Sequence, residues 1–89
     1  MRSKKIRGRE MRLDKFLKVS RIIKRRTIAN EACDAGRVFI DNKVAKAGTH
    51  VFEGNVIDIQ FGDKRVSYKV NKVLEIASKS QATEMTTQL

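Results

Sequence analysis

Apolar residues at Leu13, Phe16 and Leu17 recur at the spacing of a helix with one buried stripe, which leaves Arg12, Lys15 and Lys18 toward solvent. An unbroken continuation would put Ile22 and Ile23 on different sides of that helix, so the pattern predicts a turn over residues 20–23. A second helix follows, with Thr27 as its N-cap and Ile28, Ala29, Ala32 and Cys33 on one face. It ends at Gly36, a residue suited to the C′ position. Beyond Gly36 the period shortens to two. Val38 and Ile40 lead into Asp41-Asn42, both tolerant of the positive φ of a tight turn, and Val44 follows. Residues 56–61 place Ile57, Ile59 and Phe61 on one buried face, Gly62-Asp63 reverses the chain, and Val66, Tyr68 and Val70 alternate back. Gly48 and Gly54 punctuate the connection between the two strand regions. The pattern predicts an α+β domain, two short helices followed by a small, mainly antiparallel sheet, without internal repeats.

The flanks carry no such pattern. Residues 1–10 are polar and basic and are expected to form a disordered leader, with Met11 as the natural start of translation. The domain is expected over residues 11–76. Residues 77–89 are rich in Ser, Thr and Gln and are expected to form a polar, flexible tail. A chain of 89 residues has room for one small domain, and with no Trp and 6% aromatic residues it has little from which to build a stacking platform for many bases.

Charge changes the picture, because it is unevenly placed. Residues 1–26 hold twelve Lys and Arg against two acidic side chains, whereas residues 27–89 hold eight of each, so the whole net charge of +10 lies in the first third. Arg12, Lys15, Lys18, Arg21, Lys24, Arg25 and Arg26 crowd the first helix and the corner after it. Gathered on one small surface they repel one another unless a polyanion supplies the counter-charge. The apolar positions of the same segment anchor it to a core while the cations are held outward. No stretch of about 20 apolar residues suggests a membrane span and the basic leader lacks the apolar centre of a signal peptide, so the expected setting is the cytoplasm, without a membrane partner.

Nothing in the chain suggests catalysis or a cofactor. Cys33, the single cysteine, lies on the apolar face of the second helix and reads as a small core residue. His50, the single histidine, reads as a surface loop residue, and Glu31 and Asp34 read as a solvated helix face with too few ligands for a cation. Asp14 falls in the first turn of its helix, where the dipole favours a carboxylate, and reads as structural. Phosphate-cradling glycine loops, nucleophile elbows and Cys/His clusters are missing from the sequence, so no metal site or enzyme is expected. A helix-turn-helix reader of DNA would insert the second helix, but that helix carries Glu31 and Asp34 and no basic residue after Arg26. Structured RNA, recognised by shape and backbone, fits the charge better.

The stretch MRLDKFLKVSRIIKRRTIANEACDAGRVFIDNKVAKAG, followed by the VxxGN pattern at Val51 to Asn55, resembles the S4 domain, the RNA-binding domain named after a small-subunit ribosomal protein. Arg12-Leu13-Asp14-Lys15 with Leu17, Arg21, Lys24 and Arg26 is similar to the stand-alone heat-shock type of that domain. The run LKVSRIIKRRTIA and Gln60-Phe61-Gly62 are most similar to the RqcP-type ribosome quality-control family. The resemblance covers about residues 11–74 and implies a monomeric, non-enzymatic protein that binds the large ribosomal subunit. It implies contacts to rRNA and to the tRNA of a stalled peptidyl-tRNA, in support of C-terminal alanine tailing with a partner that recruits alanyl-tRNA. Arg12 and Arg26 match the family's most characteristic basic positions, with Lys15, Lys18, Arg21, Lys24 and Arg25 beside them. Neither arginine belongs to an apolar stripe, so replacing either is expected to leave folding nearly intact. The sequence departs from the family at Asp41-Asn42, where Asn-Gly is frequent, and at Gly54-Asn55, where Gly-Asp is common. A generic rRNA-binding assembly or heat-shock factor is the alternative, and an accessory domain of a pseudouridine synthase would need a catalytic domain for which this chain has no room.

Overall fold

The computed structural model describes residues 10–89. The leader expected over residues 1–10 lies outside them except for Glu10, which belongs to a strand. That strand, β1 (Glu10–Arg12), runs directly into the helix α1 (Leu13–Val19), and a corner leads to α2 (Arg26–Asp34). The strands β2 (Val38–Ile40), β3 (Lys43–Val44), β4 (His50–Phe52), β5 (Val56–Phe61) and β6 (Lys64–Val70) follow, then a helix α3 (Lys79–Met85) and a strand β7 (Thr86–Gln88). The main sheet has the order β3-β2-β5-β6-β7 with every pair antiparallel, and β1 pairs with β4 in a separate ribbon.

One apolar core joins these parts. Leu13, Phe16 and Leu17 of α1 and Ala29 and Cys33 of α2 are fully buried, and they share a cluster with Val38, Val51, Ile57, Ile59 and Val70 of the strands. The i, i+3, i+4 stripe of α1 and the alternation of β5, which places Ile57 and Ile59 on the same side, thus feed one core. Phe61, expected on that buried face, is 45% exposed because it lies at the end of β5 beside the Gly62 turn.

The turns follow the residues that make them. Gly36 adopts φ 75° after α2, and Asp41 and Asn42 adopt φ 50° and 70° between β2 and β3. The two departures from the S4 pattern touch each other: Asn55 Nδ2 donates to Asp41 Oδ2 at 2.9 Å, and the Val56 N–H donates to Asp41 Oδ1 at 3.0 Å. An aspartate at the first turn and an asparagine at the second therefore tie the β2–β3 turn to the start of β5.

Two sequence expectations need correction. The second helix begins at Arg26, with Arg25 at the N-cap position and no side-chain capping bond, so Thr27 lies inside the helix and caps nothing. Residues 77–89, expected as a flexible tail, form α3 and β7. Ser78 caps α3 by accepting from the Gln81 N–H, Gln81 Oε1 accepts from the Ser78 N–H, and Met85 is fully buried in the core. β7 then extends the main sheet beside β6, pairing Tyr68 with Gln88 and Val70 with Thr86.

Candidate nucleic-acid interface

At the centre of the basic region sits a carboxylate. Asp14 is in the first turn of α1 with its side chain 3% exposed, and four groups donate to it. The Lys15 backbone N–H donates to Oδ1 at 2.9 Å, Arg12 Nε donates to Oδ1 at 3.2 Å, and Arg26 Nε and Asn30 Nδ2 donate to Oδ2 at 3.3 and 3.4 Å. Burial pushes the carboxyl upward, but the bonds from Arg12, Arg26 and the Lys15 N–H and the charge of Arg26 outweigh it and hold the carboxyl below its ordinary value. Asp14 is therefore ionised and ties β1, α1 and α2 together. Arg12 and Arg26 remain 51% and 46% exposed, so each guanidinium is held by one edge and offered to solvent by the rest. Because both are partners of a buried charge, replacing either arginine is now expected to cost stability rather than leave folding nearly intact.

The corner between the helices is built to hold cations in place. Ile23 is buried and Ile22 packs against the core, so residues 20–25 are pinned from beneath. The Arg21 N–H donates to the Lys18 carbonyl at 3.0 Å and the Ile23 N–H to the Leu17 carbonyl at 3.1 Å, closing the end of α1. Arg21 adopts φ 65°, a left-handed conformation usually taken by glycine, at a cost of about 1–2 kcal/mol.

Five of the seven candidates share one groove. Lys15, Lys18, Arg21, Lys24 and Arg26 line an open groove of about 830 Å³. Arg12 is outside that lining but adjoins Arg26, since its Nη2 donates at 3.4 Å to the Asp14 Oδ2 that Arg26 Nε reaches at 3.3 Å, and its guanidinium lies 3.9 Å from the position of a Cβ on Gly48. Arg25 is exposed but outside the groove lining. Arg26 also borders a second hollow of about 430 Å³, together with Asp14, Thr27, Asn30 and Glu31, and so stands between the two.

The far wall of the main groove comes from residues the sequence reading assigned to the end of the domain and to the tail. Glu75, Ile76, Ala77 and Lys79 line it, and Lys15 Nζ is ion-paired with Glu75. The one available signal was the Ser78-x-x-Gln81 capping box, which marks a helix start in an otherwise aperiodic stretch.

The other residues singled out in the sequence lie outside the groove lining. The Cys33 thiol is fully buried, and burial first, then the charges of Asp14 and Asp34, push it up to about 11. His50 lies half exposed on β4, with Nδ1 3.2 Å from Glu10 Oε2. Among the described residues no group of three or more His, Cys, Asp and Glu is placed to hold a metal, and no helix is long and apolar enough to cross a membrane.

Comparison with known proteins gives the class first. Residues 11–57 match the S4 domain, over the helix pair, the corner and the first strands. Among curated proteins, the RQC P-site tRNA stabilizing factor of Halalkalibacterium halodurans is 52% identical over 75 residues, covering 84% of this chain and 85% of that protein. The factor of the same name from Bacillus subtilis is 48% identical over 77 residues, covering 86% and 90%. Among solved structures, the trimeric heat shock protein 15 of Vibrio cholerae superposes with a TM-score of 0.82 at 24% identity, covering 91% of this chain and 83% of that one, a likeness of fold. The chain belongs to the S4-domain family and, within it, to the family of the RQC P-site tRNA stabilizing factors.

Proposed function

We propose that this protein is a non-enzymatic RNA-binding factor of ribosome-associated quality control. It binds the large ribosomal subunit in the cytoplasm and contacts both rRNA and the tRNA of a stalled peptidyl-tRNA. The observation that carries this reading is the groove in which Lys15, Lys18, Arg21, Lys24 and Arg26 converge on a rigid frame. Five cations so close together are self-repelling in water and match the spaced phosphates of folded RNA. The similarity to factors named for stabilising the P-site tRNA, over 84% of the chain, supports tRNA as one of the two RNA partners.

In this role the protein moves no atoms. The buried Asp14 fixes the edge of each flanking arginine, so that the guanidiniums meet phosphate already oriented. Holding peptidyl-tRNA on the large subunit gives a tailing factor that recruits alanyl-tRNA time to extend the stalled chain with alanine. The test is gradient sedimentation of lysates in which stalled chains accumulate. The protein is expected on large subunits that carry peptidyl-tRNA, and to leave them when peptidyl-tRNA is released with puromycin. Migration with subunit precursors instead would favour an assembly factor and overturn the quality-control reading.

A further inference from the structure

The segment that closes the groove is neither loose nor inert. Between β6 and α3, Val73 is buried, Leu74 and Ala77 pack against the core, and the Ser78–Gln81 box fixes the start of α3. Held between these anchors, Ile76 is 87% exposed at the groove lip, and Lys79 adds a cation to the same wall. Glu75 is the groove's one acidic lining residue, and it is ion-paired with Lys15.

Resting on the RNA-binding reading of this groove, we infer that residues 75–79 form the second wall of the RNA site, and that the Glu75 carboxylate stands in for one RNA phosphate on Lys15 until RNA displaces it. A carboxylate and a phosphate present the same feature to an ammonium group, an anionic oxygen. The pair is exposed, with Lys15 at 36% and Glu75 at 67%, so separating it is cheap. An isolated anion must compete with a tethered carboxylate for Lys15. A folded RNA meets Lys18, Arg21, Lys24 and Arg26 at the same time and displaces it readily. The exchange thus biases the groove toward multivalent polyanions and offsets part of the repulsion among its cations in the free protein.

The experiment measures binding of bulk deacylated bacterial tRNA by fluorescence anisotropy between about 50 and 200 mM salt. The proteins are the full chain and its Glu75→Gln, Lys15→Ala, Glu75→Gln/Lys15→Ala and Lys24→Ala variants, with circular dichroism as the folding control. Glu75→Gln is expected to bind roughly two- to five-fold tighter at low salt, the range an exposed ion pair supports. Its log–log salt slope should stay close to that of the unaltered protein, because Lys15 meets a phosphate in both, whereas Lys15→Ala should flatten the slope by about 0.7–0.9. In the Lys15→Ala background the same substitution should lose most of that gain. An equal gain with and without Lys15 would mean that Glu75 acts only through net charge and would overturn the exchange. No gain from Glu75→Gln, with Lys24→Ala still weakening binding, would overturn the exchange and leave the groove as the RNA site. Unchanged binding by folded Lys24→Ala and Glu75→Gln alike would remove both.

Discussion

Arg26 is expected to serve two purposes, and one substitution separates them. Arg26→Ala removes a donor at 3.3 Å from a carboxylate whose side chain is 3% exposed. A hydrogen bond to a charged group contributes about 1.5–3 kcal/mol. Arg26 is itself 46% exposed, and Arg12 and Asn30 go on donating to Asp14, so the loss is discounted to about 1–2 kcal/mol. For a domain of this size that lowers Tm by roughly 5–15 °C. Asp14→Asn removes the buried charge itself. In that background Arg26 is only a partly exposed cation, and Arg26→Ala should cost less than about 0.5 kcal/mol. The four proteins of this cycle, compared by thermal and urea unfolding at pH 7, should therefore show a coupling of about 1 kcal/mol. Removing Arg12 and Arg26 together leaves the carboxylate with Asn30 and the Lys15 N–H, at a cost of about 3–5 kcal/mol, a large share of a small domain's stability. Strictly additive losses in the cycle, or an unchanged Tm for Arg26→Ala, would refute the role assigned to Asp14.

Three further outcomes follow from the same geometry. Arg21→Gly should raise stability by about 0.5–1 kcal/mol by relieving the left-handed φ, while weakening tRNA binding in the same anisotropy assay; a lower Tm would show that Arg21 is not strained. Met85→Ala should cost about 2–5 kcal/mol in urea unfolding, a loss that a flexible tail would not produce. Because the folded-state value of the Asp14 carboxyl is depressed, its contribution to stability is complete above the ordinary value of 3.8 and is lost as pH falls through the folded value. Tm should accordingly hold steady from neutral pH down to the ordinary carboxyl range and drop below it, with a smaller drop in Asp14→Asn.

The parts of the fold that were legible are those where periodicity and turn chemistry agree. The stripe of Leu13, Phe16 and Leu17, the helix end at Gly36 and the turn at Asp41-Asn42 all lie where the pattern puts them. The tail was opaque because α3 buries only Ala82 and Met85 among polar neighbours, too few apolar positions to define a period, and its helix rests on a capping box and tertiary packing. β1 is three residues long and is held by pairing with β4, a contact no local pattern encodes. For the site, charge sorting singled out the basic corner, but sequence spacing could not say which cations share a groove. Nor could it show that Asp14, read as a response to the helix dipole, also receives Arg12 and Arg26 from beyond its own helix. Arg25 and Lys24 are adjacent in the chain, yet only Lys24 lines the groove.

That groove is the claim on which the function rests, and its most direct test is sedimentation of purified variants with large ribosomal subunits across a salt series. Lys18→Ala and Lys24→Ala alter exposed positions, where stability changes by about 0.5 kcal/mol or less, so folding is retained. Each should weaken binding and flatten the dependence of log affinity on log salt by about 0.7–0.9, with the double variant losing about twice that. Lys64→Ala, at the β5–β6 turn and outside the groove lining, should leave affinity and slope near those of the unaltered protein. A folded Lys18→Ala/Lys24→Ala variant that binds large subunits with unaltered affinity and slope would contradict the assignment of this groove to RNA.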